Sequence, residues 1–192
     1  MRILLIFILV ITNTAYSQTA CSIAELIDKT YFLKHAQPSS FFDTLNLPRK
    51  TSHTLKFNFA GKPITFKDDL SDRNYVEYFF AGNDRKRNWL LIKKQDYNQE
   101  YFYLFQSTAK NIDTLVGEPF IYGNKIICLE GSYTDSPRYI EVWDIKRDKL
   151  VRIAKFSLSR ECAIYPTRIT LSDKMEIMFV DIDERYWKTK PL

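Results

Sequence analysis

The sequence predicts a mainly β chain of antiparallel meanders preceded by one short helix. Three observations carry this reading. Apolar residues fall at helical spacing only ahead of Pro38, and from Thr54 onward the apolar period changes to two. The later runs are aromatic and β-branched, punctuated by Gly, Asn, Asp and Pro. Composition agrees: 14 Phe, 12 Tyr and 3 Trp suit strands. An apolar content of 45% with only 5 Gly and 3 Cys in 192 residues excludes a disordered tail, a collagen-like repeat and a disulfide-dense miniprotein.

The first segment reads as a targeting signal. Met1-Arg2 is a charged start, Ile3 to Ile11 is an apolar stretch, and Ala15 and Ser17 are the small residues that precede a cleavage site. Cleavage after Ser17 removes residues 1–17 and places the protein in a secreted or periplasmic location. The apolar run stops at Thr12, short of the roughly 20 residues that a spanning helix needs, so no permanent membrane anchor is expected. Residues 18–192 are then a single β-rich domain, with a helix over about 22–35 and strands over about 54–182. An oxidising compartment allows the three cysteines one intramolecular disulfide. Of the pairings open to Cys21, Cys128 and Cys162, Cys128 with Cys162 is favoured, because neighbouring strands would bring these two together.

Ser22-Ile23-Ala24-Glu25 matches a capping box, and Ile23, Leu26, Ile27 and Tyr31 share one helical face behind it. Phe41 to Lys50 reads as an irregular connection interrupted by Pro48. Leu55, Phe57 and Phe59 alternate with Lys56 and Asn58, and Ile64 and Phe66 follow Ala60-Gly61-Lys62, which together describe a hairpin. Lys67 to Arg73 is a polar turn. Strand-like runs follow at 75–80, 89–93, 101–106, 112–115, 125–129, 139–145, 150–156, 168–171 and 177–182. In the third of these, Tyr101, Tyr103 and Phe105 face one way and Phe102 and Leu104 the other, so both faces of that strand are apolar and one of them is expected to be covered.

A weak internal repeat is present. Trp89 to Ile92, the turn at 96–99, Tyr101 to Phe105 and Ile112 to Leu115 align with Ile126 to Leu129, the turn at 133–136, Tyr139 to Trp143 and Leu150 to Ile153, at an offset of 37 or 38 residues. A partial third copy spans Pro166 to Val180, where Pro166-Thr167-Arg168-Ile169 parallels Pro119-Phe120-Ile121. In Gly117 to Ile127 (GEPFIYGNKII) and Tyr139 to Ile145 (YIEVWDI) the chain resembles the blade repeats of β-propellers of the TolB-like and WD-like kind, over about residues 75–180. The usual Ser-Pro-Asp-Gly turn of such blades is replaced here by Tyr122-Gly123-Asn124-Lys125. The resemblance implies four-stranded blades. A closed propeller needs at least about four blades of roughly 40 residues, and this chain has room for about three. The expected architecture is therefore an open partial propeller or a sandwich of the same strands, with exposed edges that the N-terminal helix or a partner would cover.

Motifs for chemistry are sparse. The two histidines, His35 and His53, form no metal-binding template, and no nucleophile elbow, P-loop or dinucleotide glycine pattern occurs. No metal or cofactor is expected. The basic residues are scattered, including Arg85-Lys86-Arg87 in a turn, so no nucleic-acid partner is expected either. Carboxylates gather at Asp68, Asp69 and Asp72 and again at Asp181, Asp183 and Glu184, in turns that end strands. Aromatic excess is the most unusual feature, and Tyr75, Tyr78, Tyr97, Tyr101, Tyr133 and Trp143 are read as a surface that stacks on sugar rings or anchors a protein. This inventory favours a non-enzymatic binding protein with an envelope or extracellular protein or glycan as partner, a second copy of the chain being another. The alternative is a small secreted hydrolase acting on glycans through paired carboxylates, Asp68 or Asp72 with a downstream acid.

Overall fold

The computed structural model describes residues 21–40, 42–44, 50–107, 112–130, 138–146 and 149–190. Residues 1–17, read from the sequence as a signal segment, and Tyr133 lie outside them. The fold is mainly β, as the sequence predicts, and none of its sheets closes into a barrel.

Three four-stranded antiparallel sheets and one hairpin make up the architecture. The hairpin pairs β2 (Thr54–Phe59) with β3 (Lys62–Lys67). Its loop is Ala60-Gly61, both with positive φ (48° and 75°), the two-residue turn whose twist matches that of the strands. Sheet I is the meander β4 (Val76–Asp84), β5 (Trp89–Asp96), β6 (Glu100–Gln106) and β7 (Asp113–Leu115). Sheet II is the meander β8 (Gly117–Tyr122), β9 (Lys125–Glu130), β10 (Ile140–Lys146) and β11 (Lys149–Phe156). The sequence repeat maps onto these directly, since β5, β6 and β7 hold the same places in sheet I as β9, β10 and β11 in sheet II. Sheet III begins the same way with β12 (Pro166–Leu171), β13 (Ile177–Asp181) and β14 (Tyr186–Thr189), but its fourth strand comes from the N-terminal end of the described chain, β1 (Ala24–Ile27).

That fourth strand corrects the helix expected from residue 22. Ala24 to Ile27 pair in antiparallel register with Thr189 to Tyr186, and Lys188 Nζ bonds Glu25 Oε1 at 2.9 Å across the pair. A long-range ladder thus overrides a local capping pattern. The helix, α1 (Lys29–His35), starts about two turns later, where Asp28 caps it by accepting from Tyr31 N at 2.7 Å. A second helix, α2 (Leu158–Cys162), follows β11, capped by Ser157 and ended by Ala163 in the left-handed region. The disulfide is also corrected. Cys21 bonds Cys162, fastening the start of β1 to α2, while Cys128 is a free thiol buried between sheets I and II. Cys128 points from the middle strand β9 into the core, so it faces no other cysteine.

The layers stack in the order hairpin, sheet I, sheet II, sheet III. Leu55, Phe57 and Phe66 of the hairpin cover Ile92, Tyr103 and Phe105 on the outer face of sheet I. The opposite face of that sheet sends Trp89, Leu91, Phe102 and Leu104 against Ile126, Cys128 and Trp143 of sheet II. The other face of sheet II sends Tyr122, Ile127, Ile140 and Val142 against Leu171, Ile177, Phe179 and Trp187 of sheet III. Strand periodicity of two thus delivers apolar residues to both faces of the inner sheets.

After α1 the chain becomes an extended strap, residues 36–40 and 42–44, laid across the first strand of each sheet. Gln37 N donates to Leu171 O at 2.8 Å in β12; Ser40 and Ile121 exchange bonds of 2.9 and 3.1 Å in β8; Asp43 and Asn83 exchange bonds of 2.7 and 2.8 Å in β4. The strap therefore pairs part of three edges that would otherwise be open. Gly82 permits the approach at β4, since a Cβ there would lie 2.5 Å from Phe42 Cβ.

Candidate functional site

The aromatic residues singled out by sequence divide sharply. Trp143 is corrected: it is a core residue, 9% exposed, on the face of β10 that packs against sheet I, with the Arg152 guanidinium 5.7 Å from its ring centre. Tyr97 is 54% exposed at the β5–β6 turn. Its ring lies 5.0 Å from that of Tyr75, tilted by 35°, and its hydroxyl donates to Ser71 O at 3.4 Å. Tyr75, Tyr78 and Tyr97 line one cleft of about 630 Å³ together with Arg73, Lys94 and Asn98.

Sheet register places this cleft. Tyr78, Lys94 and Tyr101 form a row across β4, β5 and β6, one step beyond the row Phe80, Ile92 and Tyr103 that the hairpin covers. Phe66 of the hairpin stacks on Tyr78 at the start of this row, 4.7 Å between ring centres, while Tyr101 at its other end lies outside the hairpin's cluster. Tyr101 adjoins the cleft from behind Lys94, whose ammonium lies 5.7 Å from its ring, and its hydroxyl bonds the Gln99 side chain. The turn itself is fixed by Asp96, whose Oδ1 accepts from Asn98 N at 3.1 Å and Gln99 N at 2.8 Å. A hydrogen bond to Glu77 raises the Tyr75 hydroxyl above its usual pKa; burial raises those of Tyr78 and Tyr101, with nearby Asp68 and Asp96 adding to the effect. All three stay neutral donors at ordinary pH. Lys94, Arg73 and Asn98, none apparent from the aromatic pattern, supply polar groups around the rings.

The carboxylate sets are bound up in structure. The Asp68 side chain is wholly buried, paired with Lys50 and accepting from Tyr78 N at 3.0 Å, which fixes the end of β3 to β4. Asp72 is exposed in the following turn. Asp181 is buried in the β13–β14 turn, accepting from Asp183 N, Arg185 N, Arg185 Nε and Trp187 Nε1 at 2.8–3.0 Å. Burial alone would raise its carboxyl, but these donors together hold it below its usual value. Among the described residues no group of three or more His, Cys, Asp or Glu is placed to hold a metal ion, and no helix is long and apolar enough to cross a membrane.

A second cleft, of about 470 Å³, lies between sheets II and III beside the strap. No sequence signal marks it, since its walls come from β6, β8, β9, β12, the strap and Arg138, two residues before β10.

The fold and the two clefts define a class: a stacked-sheet β protein with a tyrosine pair lining one cleft. Compared with known proteins, the chain matches no family model, no curated protein and no solved structure.

Proposed function

We propose that this is a secreted or periplasmic binding protein, non-enzymatic, released by cleavage after Ser17, whose tyrosine cleft holds a glycan of the envelope or extracellular space. The sheets serve as blades of an open partial propeller in this reading, a scaffold that presents the cleft at one end. The observation that carries it is the Tyr75–Tyr97 pair, 5.0 Å between ring centres, with Tyr97 exposed and Tyr75 half-buried beyond the aromatic face that the hairpin covers. Sugar rings present an apolar C–H face and a hydroxyl rim. The tyrosine faces suit the first, and Arg73, Asn98 and Lys94 suit the second.

The test is a glycan array probed with the purified protein, with Tyr75→Ala and Tyr97→Ala variants in parallel. Wild type is expected to retain a restricted set of glycans, with both variants losing them while their far-ultraviolet circular dichroism is unchanged. Equal retention by all three proteins, or none by wild type, removes the proposal.

A further inference from the structure

The cleft between sheets II and III carries a pattern the tyrosine cleft lacks. Its floor is apolar, formed by Phe120 and Leu129 of sheet II and Ile169 of sheet III. Its walls carry opposite charges on separate strands, Glu118 on β8 and Arg168 on β12, both exposed and neither with an ion pair or hydrogen bond among the described residues. About half of the other charged side chains among the described residues stand in ion pairs, among them Lys125 with Asp144, Arg152 and Lys155 with Glu141, and Lys188 with Glu25 and Glu176. Behind the unmatched pair stands a fixed one. Glu130 accepts from Tyr139 N at 2.9 Å, and Arg138 donates to Pro166 O at 3.2 Å, so the carboxylate and the guanidinium are each held by backbone at the wall.

Charge complementarity then selects the ligand. Glu100 of β6 also lines the cleft, but its charge is met by Lys93 at 2.6 Å. A simple anion would leave Glu118 and Glu130 facing it, and a simple cation would face both guanidinium groups. A neutral sugar would leave the aliphatic floor poorly used. We infer that this cleft binds a small zwitterion of the amino-acid type, a free amino acid or dipeptide with an apolar side chain. Its ammonium lies toward Glu118 and Glu130, its carboxylate toward Arg168 and Arg138, and its side chain on Phe120, Leu129 and Ile169. A volume of about 470 Å³ is in the range of small-molecule sites, and guanidinium recognition of carboxylate is the strong, oriented kind.

The experiment is calorimetric titration of the purified protein with L-leucine, L-phenylalanine and L-leucyl-L-leucine, beside N-acetyl-L-leucine and L-leucinamide, which each lack one charge. At least one zwitterion is expected to bind, and blocking either end to weaken it about tenfold. Arg168→Gln and Glu118→Gln are expected to weaken the zwitterion to a similar degree; both side chains are exposed, so the fold is not at stake. Tyr97→Ala leaves this binding unchanged, which separates its outcome from that of the glycan proposal. Absence of binding at millimolar concentration, equal affinity for the blocked ligands, or wild-type affinity in both Gln variants overturns the inference.

Discussion

Single residues decide where the backbone of this fold comes close. Gly82 sits at a register shift in β4 exactly where the strap crosses, and any side chain there meets Phe42. Gly82→Ala is expected to lower stability by about 1–3 kcal/mol, read as a fall in the denaturation midpoint. Asp181 acts through charge. Its carboxyl is held below the ordinary value of 3.8 in the folded chain. The folded state therefore binds that proton less readily than the unfolded state, and the stabilisation is fully present above the unfolded value. It is lost as pH falls through the lower folded value. Urea melts from pH 6 down to pH 3 are expected to show a decline in stability that is smaller in Asp181→Asn, which starts less stable at pH 6 because Arg185 loses the buried one of its two carboxylate partners, Asp181 and Asp183. A parallel decline in both proteins would place the acid sensitivity elsewhere.

Elements show how far local pattern reaches. The hairpin β2–β3 was legible because its alternation and its Ala60-Gly61 turn are contained within fourteen residues, 54–67. The apolar character of both faces of β6 was legible for the same reason; one face was expected to be covered, and the structure packs Phe102 and Leu104 against sheet II and Tyr103 and Phe105 against the hairpin. Strand β1 was not, because Ser22 to Glu25 carries a helix-start pattern and its true partner, β14, lies at the far end of the chain. The disulfide failed on the same ground: Cys21 and Cys162 are 141 residues apart and meet only once β1 has joined sheet III. A closed loop of that length constrains the unfolded chain strongly, by about 5 kcal/mol in the chain-entropy account. Reduction, or Cys21→Ser, is expected to lower the thermal midpoint markedly. Cys128 behaves differently. Burial, with Glu141 nearby, pushes its thiol up, so the native protein is expected to react with no thiol reagent and the unfolded, unreduced protein with one equivalent. One reactive thiol in the native state would contradict the Cys21–Cys162 pairing or the burial of Cys128.

At the scale of the whole molecule, the fold is a stack finished by caps rather than a ring closed on itself. The hairpin covers the outer face of sheet I, β1 completes sheet III, and the strap joins all three first strands. The internal repeat in the sequence announced the sheets, but not these three devices, each of which depends on contacts far apart in the chain. The edge strand β11 uses another device, presenting Lys149, Arg152 and Lys155, whose charge discourages further strand pairing. Because the strap crosses every sheet, it couples their unfolding. Ser40→Pro removes the N–H that bonds Ile121 O, and is expected to cost about 1–3 kcal/mol and to make the denaturation curve shallower as the sheets part company. An unchanged slope with a lowered midpoint would mean that the sheets remain coupled through their cores alone.

The tyrosine cleft rests on this scaffold, since Phe66 of the hairpin backs Tyr78 and the Asp96 turn holds Tyr97 out beside Tyr75. The most direct measurement is calorimetric titration of a glycan retained on the array against wild type, Tyr97→Ala and Tyr97→Phe. The expected result is a loss of about 1–3 kcal/mol in Tyr97→Ala and near-wild-type affinity in Tyr97→Phe, because the ring face makes the contact while the hydroxyl bonds Ser71. Wild-type affinity in Tyr97→Ala would contradict a stacking role for the tyrosine pair.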